Sequence, residues 1–255
     1  MSGETRTAGT GTAAGARRRP SLRLVWMLPA GLSLLAGLDA ALLLVGLPAP
    51  VTTSRLPETH GMLLVVGFIG TLIALERATA LKRWYGYLAP ALLGIGGILL
   101  VTDPVPLAVA KAVLVAGATA FTAVYIPLWR RRYDPGLLVQ LLATRFALAA
   151  TVLWLGGVDF ARLLPWLLAF IVLTIAAERV ELAITLGPRA GGRLLVHAWL
   201  VAVALLIGLA NAQIGAIALG LALLALTLWL FRHDIARRTI RATGATRYMA
   251  ACMLG

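Results

Sequence analysis

Long apolar runs alternate with short polar breaks along almost the whole chain. The apolar runs cover residues 24–46, 59–80, 84–102, 105–128, 136–157, 161–183, 194–211 and 213–231. Each is about twenty residues long, which is what an α-helix rising 1.5 Å per residue needs to cross a hydrocarbon core of roughly 30 Å. The breaks LPAPVTTSRLPE, LKRW, VTDPVP, RRRYDP, GGVDFAR, GPRAGGR and NAQ leave no room for a soluble domain. The pattern predicts an all-α, polytopic membrane protein with eight transmembrane helices. Beyond a basic segment, a further apolar run, YMAACMLG, opens and stops at Gly255. Eight residues cannot span a bilayer, so this run reads as the start of a ninth helix in an apparently C-terminally incomplete chain, with a short re-entrant or interfacial tail as the alternative.

Composition excludes the main rival class. At 60% hydrophobic and 13% charged residues, the chain lacks the charge to cover a soluble surface and calls for the lipid bilayer as its partner. The net charge of +13 raises the question of nucleic acid. The Lys and Arg residues sit in short tracts between apolar runs, without a basic stripe of interleaved stacking aromatics, so no nucleic-acid partner is expected. The single cysteine, Cys252, rules out an internal disulfide and a cysteine metal cluster.

Placement of the charges orients the chain. With the N-terminus cytoplasmic, the inner segments hold Arg17–Arg19 and Arg23, then Arg77, Lys82 and Arg83, then Arg130–Arg132, Arg179, Arg189 and Arg193, and finally the basic run 232–247. The outer connections hold only Arg55 and Arg162. The positive-inside rule is met at every loop. Residues 1–22, rich in Gly, Ala and Thr, read as a disordered cytoplasmic tail. The following run is too long for a cleaved signal core, which argues against a twin-arginine export signal.

Two segment pairs match at one offset. IALERATAL (73–81) resembles IAAERVELA (175–183), and ATRFALAA (143–150) resembles ATRYMAAC (245–252). These pairs set Glu76 and Arg77 over Glu178 and Arg179, and Arg145 over Arg247. Four spans separate the members of each pair, so the repeat is parallel, about an axis along the membrane normal. The expected organisation is a first four-helix unit at 23–131, a second at 132–231, and a basic loop with the start of a ninth helix at 232–255.

Ionisable residues within spans are the places to look for function. Asp39, His60 and Lys111 fall in the outer half of the bilayer. Arg145 lies further in, one turn from Gln140. Glu76, Arg77, Glu178, Arg179 and Glu181 mark the inner ends of spans 2 and 6. The cost of a bare charge in hydrocarbon predicts that all of them face the bundle interior and find partners. Asp39 with Lys111 would make a structural ion pair. The Glu-Arg pairs would make salt bridges linking the repeats, with Arg snorkelling toward lipid phosphates. His60 can ligate a haem iron or copper, and Gly61 beside it would give a flat cofactor room to approach. Gly67 and Gly70 extend that thinned surface, and they equally suit helix packing, as does the cluster Gly94, Gly96 and Gly97. His197 lies at the inner start of span 7, too far from His60 to share a site.

The His60-Gly61 opening, the GFIGTLIALERA run and the AAERVEL segment resemble a group of bacterial multi-pass proteins similar in layout to the NnrS family. That resemblance implies haem or copper binding and a role in nitric oxide, nitrosative or respiratory stress in the cell inner (plasma) membrane. Three four-span units with a histidine at the outer end of span 2 are also distantly similar to the haem-copper oxidase core subunit. The axial-ligand role there would carry over only to His60. The outer histidines of a copper site are missing from spans 6 and 7, so oxygen reduction is not expected. The remaining ligands would come from missing C-terminal helices or from a homo- or hetero-oligomer. Two other readings stand beside this one. The first is a transporter or channel for a small anion or proton, lined by Arg145, Asp39 and Lys111. The second is a structural or assembly protein in which every charge is a salt bridge.

Overall fold

The structure, a computed structural model, describes residues 22–53, 55–182, 189–233 and 236–254. The expected disordered tail therefore lies outside the described residues except for Leu22, which opens the first helix, and the centre of the loop after span 6 lies outside them too. Among the described residues, eight helices are long and apolar enough to cross a membrane. They are α1 (Leu22–Leu44), α2 (Leu56–Leu81), α3 (Trp84–Val101), α4 (Leu107–Arg132), α5 (Pro135–Leu155), α6 (Phe160–Leu182), α7 (Ala190–Ala210) and α8 (Ala212–His233). A short turn of helix, α9 (Ala236–Thr239), and a ten-residue helix, α10 (Ala245–Leu254), follow. Tyr248 and Met249 of α10 are exposed.

Local sequence sets the boundaries. Asp134 caps α5, its side chain accepting from the Gly136 amide at 2.8 Å, and Pro135 takes the first helical position, where no amide donor is needed. α2 and α4 end on left-handed residues, Lys82 and Tyr133, which turn the chain sharply into the next helix. α2 is not uniform. Leu63–Gly70 winds as a π-helix between two α-helical stretches. Its wider turn re-phases the helix, so a period of 3.6 residues does not carry from His60 to Arg77.

Consecutive helices run antiparallel, and the neighbours recur. In the first four, α1 packs on α2 and α3, α2 on α3, and α3 on α4. In the second four, α5 packs on α6 and α7, α6 on α7, and α7 on α8. α4 and α5 join the two sets. One end of this bundle gathers the basic tracts and is called the basic face here; the other is the opposite face. Between the helices lies a core of Leu, Ala and Phe, with Phe121, Tyr125 and Phe170 buried at the α4–α6 contact. The outward faces of α1, α7 and α8 are apolar, exposing Leu28, Leu32, Leu206, Ile217, Leu221 and Leu224. A surface of this kind is matched by lipid and not by water.

Small residues let the helices approach. Ser33 of α1 lies against both Gly67 and Gly97, whose Cα atoms face each other where α1, α2 and α3 cross. Pro29 occupies the space beside Gly94 and Leu114 the space beside Gly96. The cluster in α3 is thus a packing surface shared among three neighbours, as its spacing predicts.

Candidate functional site

At the basic face, the conjunction of α2, α4 and α6 gathers the charges. Arg77 of α2 is buried. Its Nη2 meets Glu178 Oε1 of α6 at 3.0 Å and Glu76 Oε1 at 3.2 Å, and its Nη1 lies 3.8 Å from Glu181 Oε2. Arg132, at the end of α4, approaches the other oxygen of Glu181 at 3.8 Å. Glu178 and Glu181 stand three residues apart, on one face of α6, so both reach the same guanidinium. Tyr125 of α4 is buried within electrostatic reach of Arg77.

A salt bridge between the Glu-Arg segments of α2 and α6 is therefore present, but its geometry differs from the expectation. Arg77 turns inward to bridge the two sets of helices and does not snorkel to lipid. The fork of a guanidinium can serve several carboxylates at once, and burial holds it there. In these pairs three carboxylates face two guanidinium groups, an arrangement that holds helices together and offers no seat to an anion. Arg179, the repeat counterpart of Arg77, is half-buried and has partners of its own.

His60 sits near the opposite face. Its ring is half-buried, with Nδ1 3.1 Å from the Pro57 carbonyl and its centroid 5.5 Å from that of Phe160 in α6. A carbonyl only accepts, so Nδ1 carries a proton, and in the neutral ring the lone pair is then on Nε2. Gly61 corrects the expectation drawn from sequence. A Cβ there would collide with the Cζ edge of the Phe160 ring, so the space beside this glycine is already filled by an aromatic side chain. Nearby, Arg55 donates to the Val105 carbonyl at 2.6 Å and ties the α1–α2 connection to the α3–α4 turn.

The remaining intramembrane charges are dispersed. Lys111 donates to the Trp154 carbonyl at 3.0 Å and lies 4.4 Å above the same indole, with Glu58 within electrostatic reach. This aromatic and carbonyl partner takes the place expected for Asp39. Among the described residues no ion pair joins Asp39 to Lys111, and Asp39 is half-buried on α1. Arg145 does not face the bundle interior either. It is exposed at the middle of α5, while Gln140 is buried with its Oε1 unpartnered. α5 turns Gln140, Ala143, Thr144 and Ala147 to the core, and helical period then puts Arg145 on the outward stripe with Val152. His197 and His233 flank Trp229 at the basic face, with ring centroids 5.3 and 5.4 Å away, far from His60.

Among the described residues these observations define an all-helical membrane protein, with an ion cluster joining α2, α4 and α6 at one end and an oriented histidine near the other. The chain belongs to the DUF8744 family, a domain of unknown function whose family model matches residues 23–255. No curated protein and no solved structure matches the chain.

Proposed function

We propose that this protein is an NnrS-like component of the bacterial inner (plasma) membrane, in which His60 supplies one ligand to a haem iron or copper ion in the response to nitric oxide or respiratory stress. The observation that carries the reading is the orientation of the ring. With its Nδ1 proton on the Pro57 carbonyl, the imidazole is held in the tautomer that presents Nε2, the arrangement in which metal-ligating histidines are usually fixed. The resemblance of the His60-Gly61 and GFIGTLIALERA stretches to NnrS-like proteins adds to it. The recurring neighbour pattern of α1–α4 and α5–α8 fits the parallel repeat that this layout implies.

One imidazole fits one coordination position. A macrocycle cannot lie flat over Gly61, because Phe160 is there. Among the described residues no group of three or more His, Cys, Asp and Glu side chains could hold a metal. On this reading His60 donates one ligand and a partner supplies the others. The test is an absorption spectrum, oxidised and reduced, of protein purified in mild detergent from haem-supplied cells, with metal analysis alongside. A Soret band or stoichiometric copper that His60→Ala removes, while Pro57 and the fold are retained, is the expected result. Neither cofactor in wild type, or either one unchanged in His60→Ala, overturns the reading.

A structural or assembly role is favoured by a separate observation, the exposed Arg145. Its Cα lies ten residues, about 15 Å, from the start of α5, beyond the reach of snorkelling. An arginine left at that depth costs about 3 kcal/mol or more. A partner helix offering carbonyl or carboxylate oxygens removes that cost. In mild detergent the wild-type chain should run as an oligomer or with a bound partner, and Arg145→Leu should run alone with its melting point kept. A wild type that is monomeric by light scattering would sink this role. Transport along Arg145, Asp39 and Lys111 has no comparable support, because Arg145 faces outward and Lys111 meets α5 nine residues further along, at Trp154.

A further inference from the structure

A cleft of about 540 Å³ opens between α5, α6, α7 and α8 near the opposite face. This volume lies within the range of small-molecule sites. Its walls are apolar, built from residues such as Leu153, Pro165, Leu205 and Leu219, with Arg162 and the Trp166 indole as the polar side chains. α8 packs on α7 and hardly on α6, which leaves the gap. The lining runs from Arg162, in the first turn of α6, to Trp166 and Leu219, each within about 10 Å of the ends of their helices. The cation thus sits at the mouth and the apolar wall reaches inward.

Arg162 stands out because the fold does not employ it. Away from the basic tracts, Arg55 and Arg162 are the arginines near the opposite face, one in a connection and one in the first turn of α6. Arg55 is consumed by the Val105 carbonyl. The Arg162 side chain is exposed, and among the described residues no ion pair or side-chain hydrogen bond engages it. An arginine on that side runs against the charge bias of the chain, and at the mouth of an apolar cleft it matches a negative head on an apolar tail. We infer that the cleft binds an anionic amphiphile, its acyl tail between α6 and α8 and its carboxylate or phosphate on Arg162. Charge complementarity and depth select this occupant over a neutral one.

The test is photolabelling of the full chain in phosphatidylcholine vesicles with two diazirine probes, palmitic acid and phosphatidylglycerol, followed by peptide mapping. Label is expected within 161–166 and 204–219, from the probe whose head is recognised, which separates a free fatty acid from an anionic phospholipid. Arg162→Gln should reduce it about tenfold, the size of one charge-assisted contact, and Arg162→Lys should retain part of it. Ala216→Phe, which fills the cleft from an exposed lining position, should also reduce it with the melting point unchanged. Three results would overturn the inference: equal labelling by diazirine phosphatidylcholine, label in Arg162→Gln equal to wild type, or cleft peptides cross-linked to a second copy of the chain.

Discussion

Arg77→Gln is expected to lower the stability of the detergent-solubilised protein by about 3 kcal/mol, among the largest losses of any single polar substitution in the chain. Removing one partner of a buried ion pair typically costs 3–5 kcal/mol, because the opposite charge is left without compensation. Here three carboxylates would be left close together. The Arg77 side chain is 8% exposed, whereas those of Glu178 and Glu76 are 36% and 59% exposed, so water recovers part of the loss and the lower end applies. Glu178→Gln should cost less, since Glu76 remains on the same Nη2. Lysine at position 77 should not restore stability, because a single ammonium cannot reach Glu178 and Glu181 as a fork does. The paired change Arg77→Leu with Glu178→Leu should recover much of the difference. Unfolding in a detergent titration reads all four variants. An Arg77→Gln midpoint equal to wild type would mean that the cluster is solvated and does not join the helices.

Much of this cluster was legible in the sequence. The repeat of Glu-Arg at the ends of spans 2 and 6 put the charges at one depth and named the salt bridge. The sequence could not say which arginine would turn inward, since Arg77 and Arg179 have nearly identical neighbours. Packing of α4 marks Arg77 out, with Tyr125 within its electrostatic reach and Arg132 sharing Glu181 with it. The eight helices were equally legible, because a bilayer imposes length and apolarity on every span. Azimuth was not. The rule that intramembrane charge faces inward placed Arg145 in the bundle, whereas the polar and small residues of α5 at Gln140, Ala143 and Thr144 already marked the other side as the core face. Counting apolar period along α5, and not charge alone, would have found this. The π segment of α2 defeats the same count between His60 and Arg77, and no residue type announces it. Phe160, which fills the space at Gly61, comes from a helix a hundred residues away, beyond any local signal. Arg162 did leave a trace, as one of two exceptions to the charge bias.

Gly117→Ala is expected to destabilise the protein by about 1–3 kcal/mol, an unusual loss for the addition of one methyl group. α3 and α4 interlock reciprocally in antiparallel register: Leu93 packs at Gly117, and Leu114 packs at Gly96. A Cβ on Gly117 would lie 2.8 Å from the backbone nitrogen of Leu93 and 2.9 Å from its Cδ2. A side chain can swing aside, but the backbone nitrogen moves only with its helix, and α3 is also held by α1 through Pro29 and Ser33. Leu93→Ala should therefore fail to rescue Gly117→Ala, since it removes the Cδ2 contact and leaves the nitrogen in place. Gly220→Ala on α8, where nothing lies within 4 Å, should gain about 0.5–1 kcal/mol from helix propensity alone. Melting curves of the two glycine variants in one detergent should thus move in opposite directions. Equal shifts would show that lipid-side propensity, and not the α3–α4 interlock, governs both sites. Because α4 also carries Tyr125 and Arg132, a displaced α3–α4 contact should reach the ion cluster, and Gly117→Ala should blunt the further loss caused by Arg77→Gln.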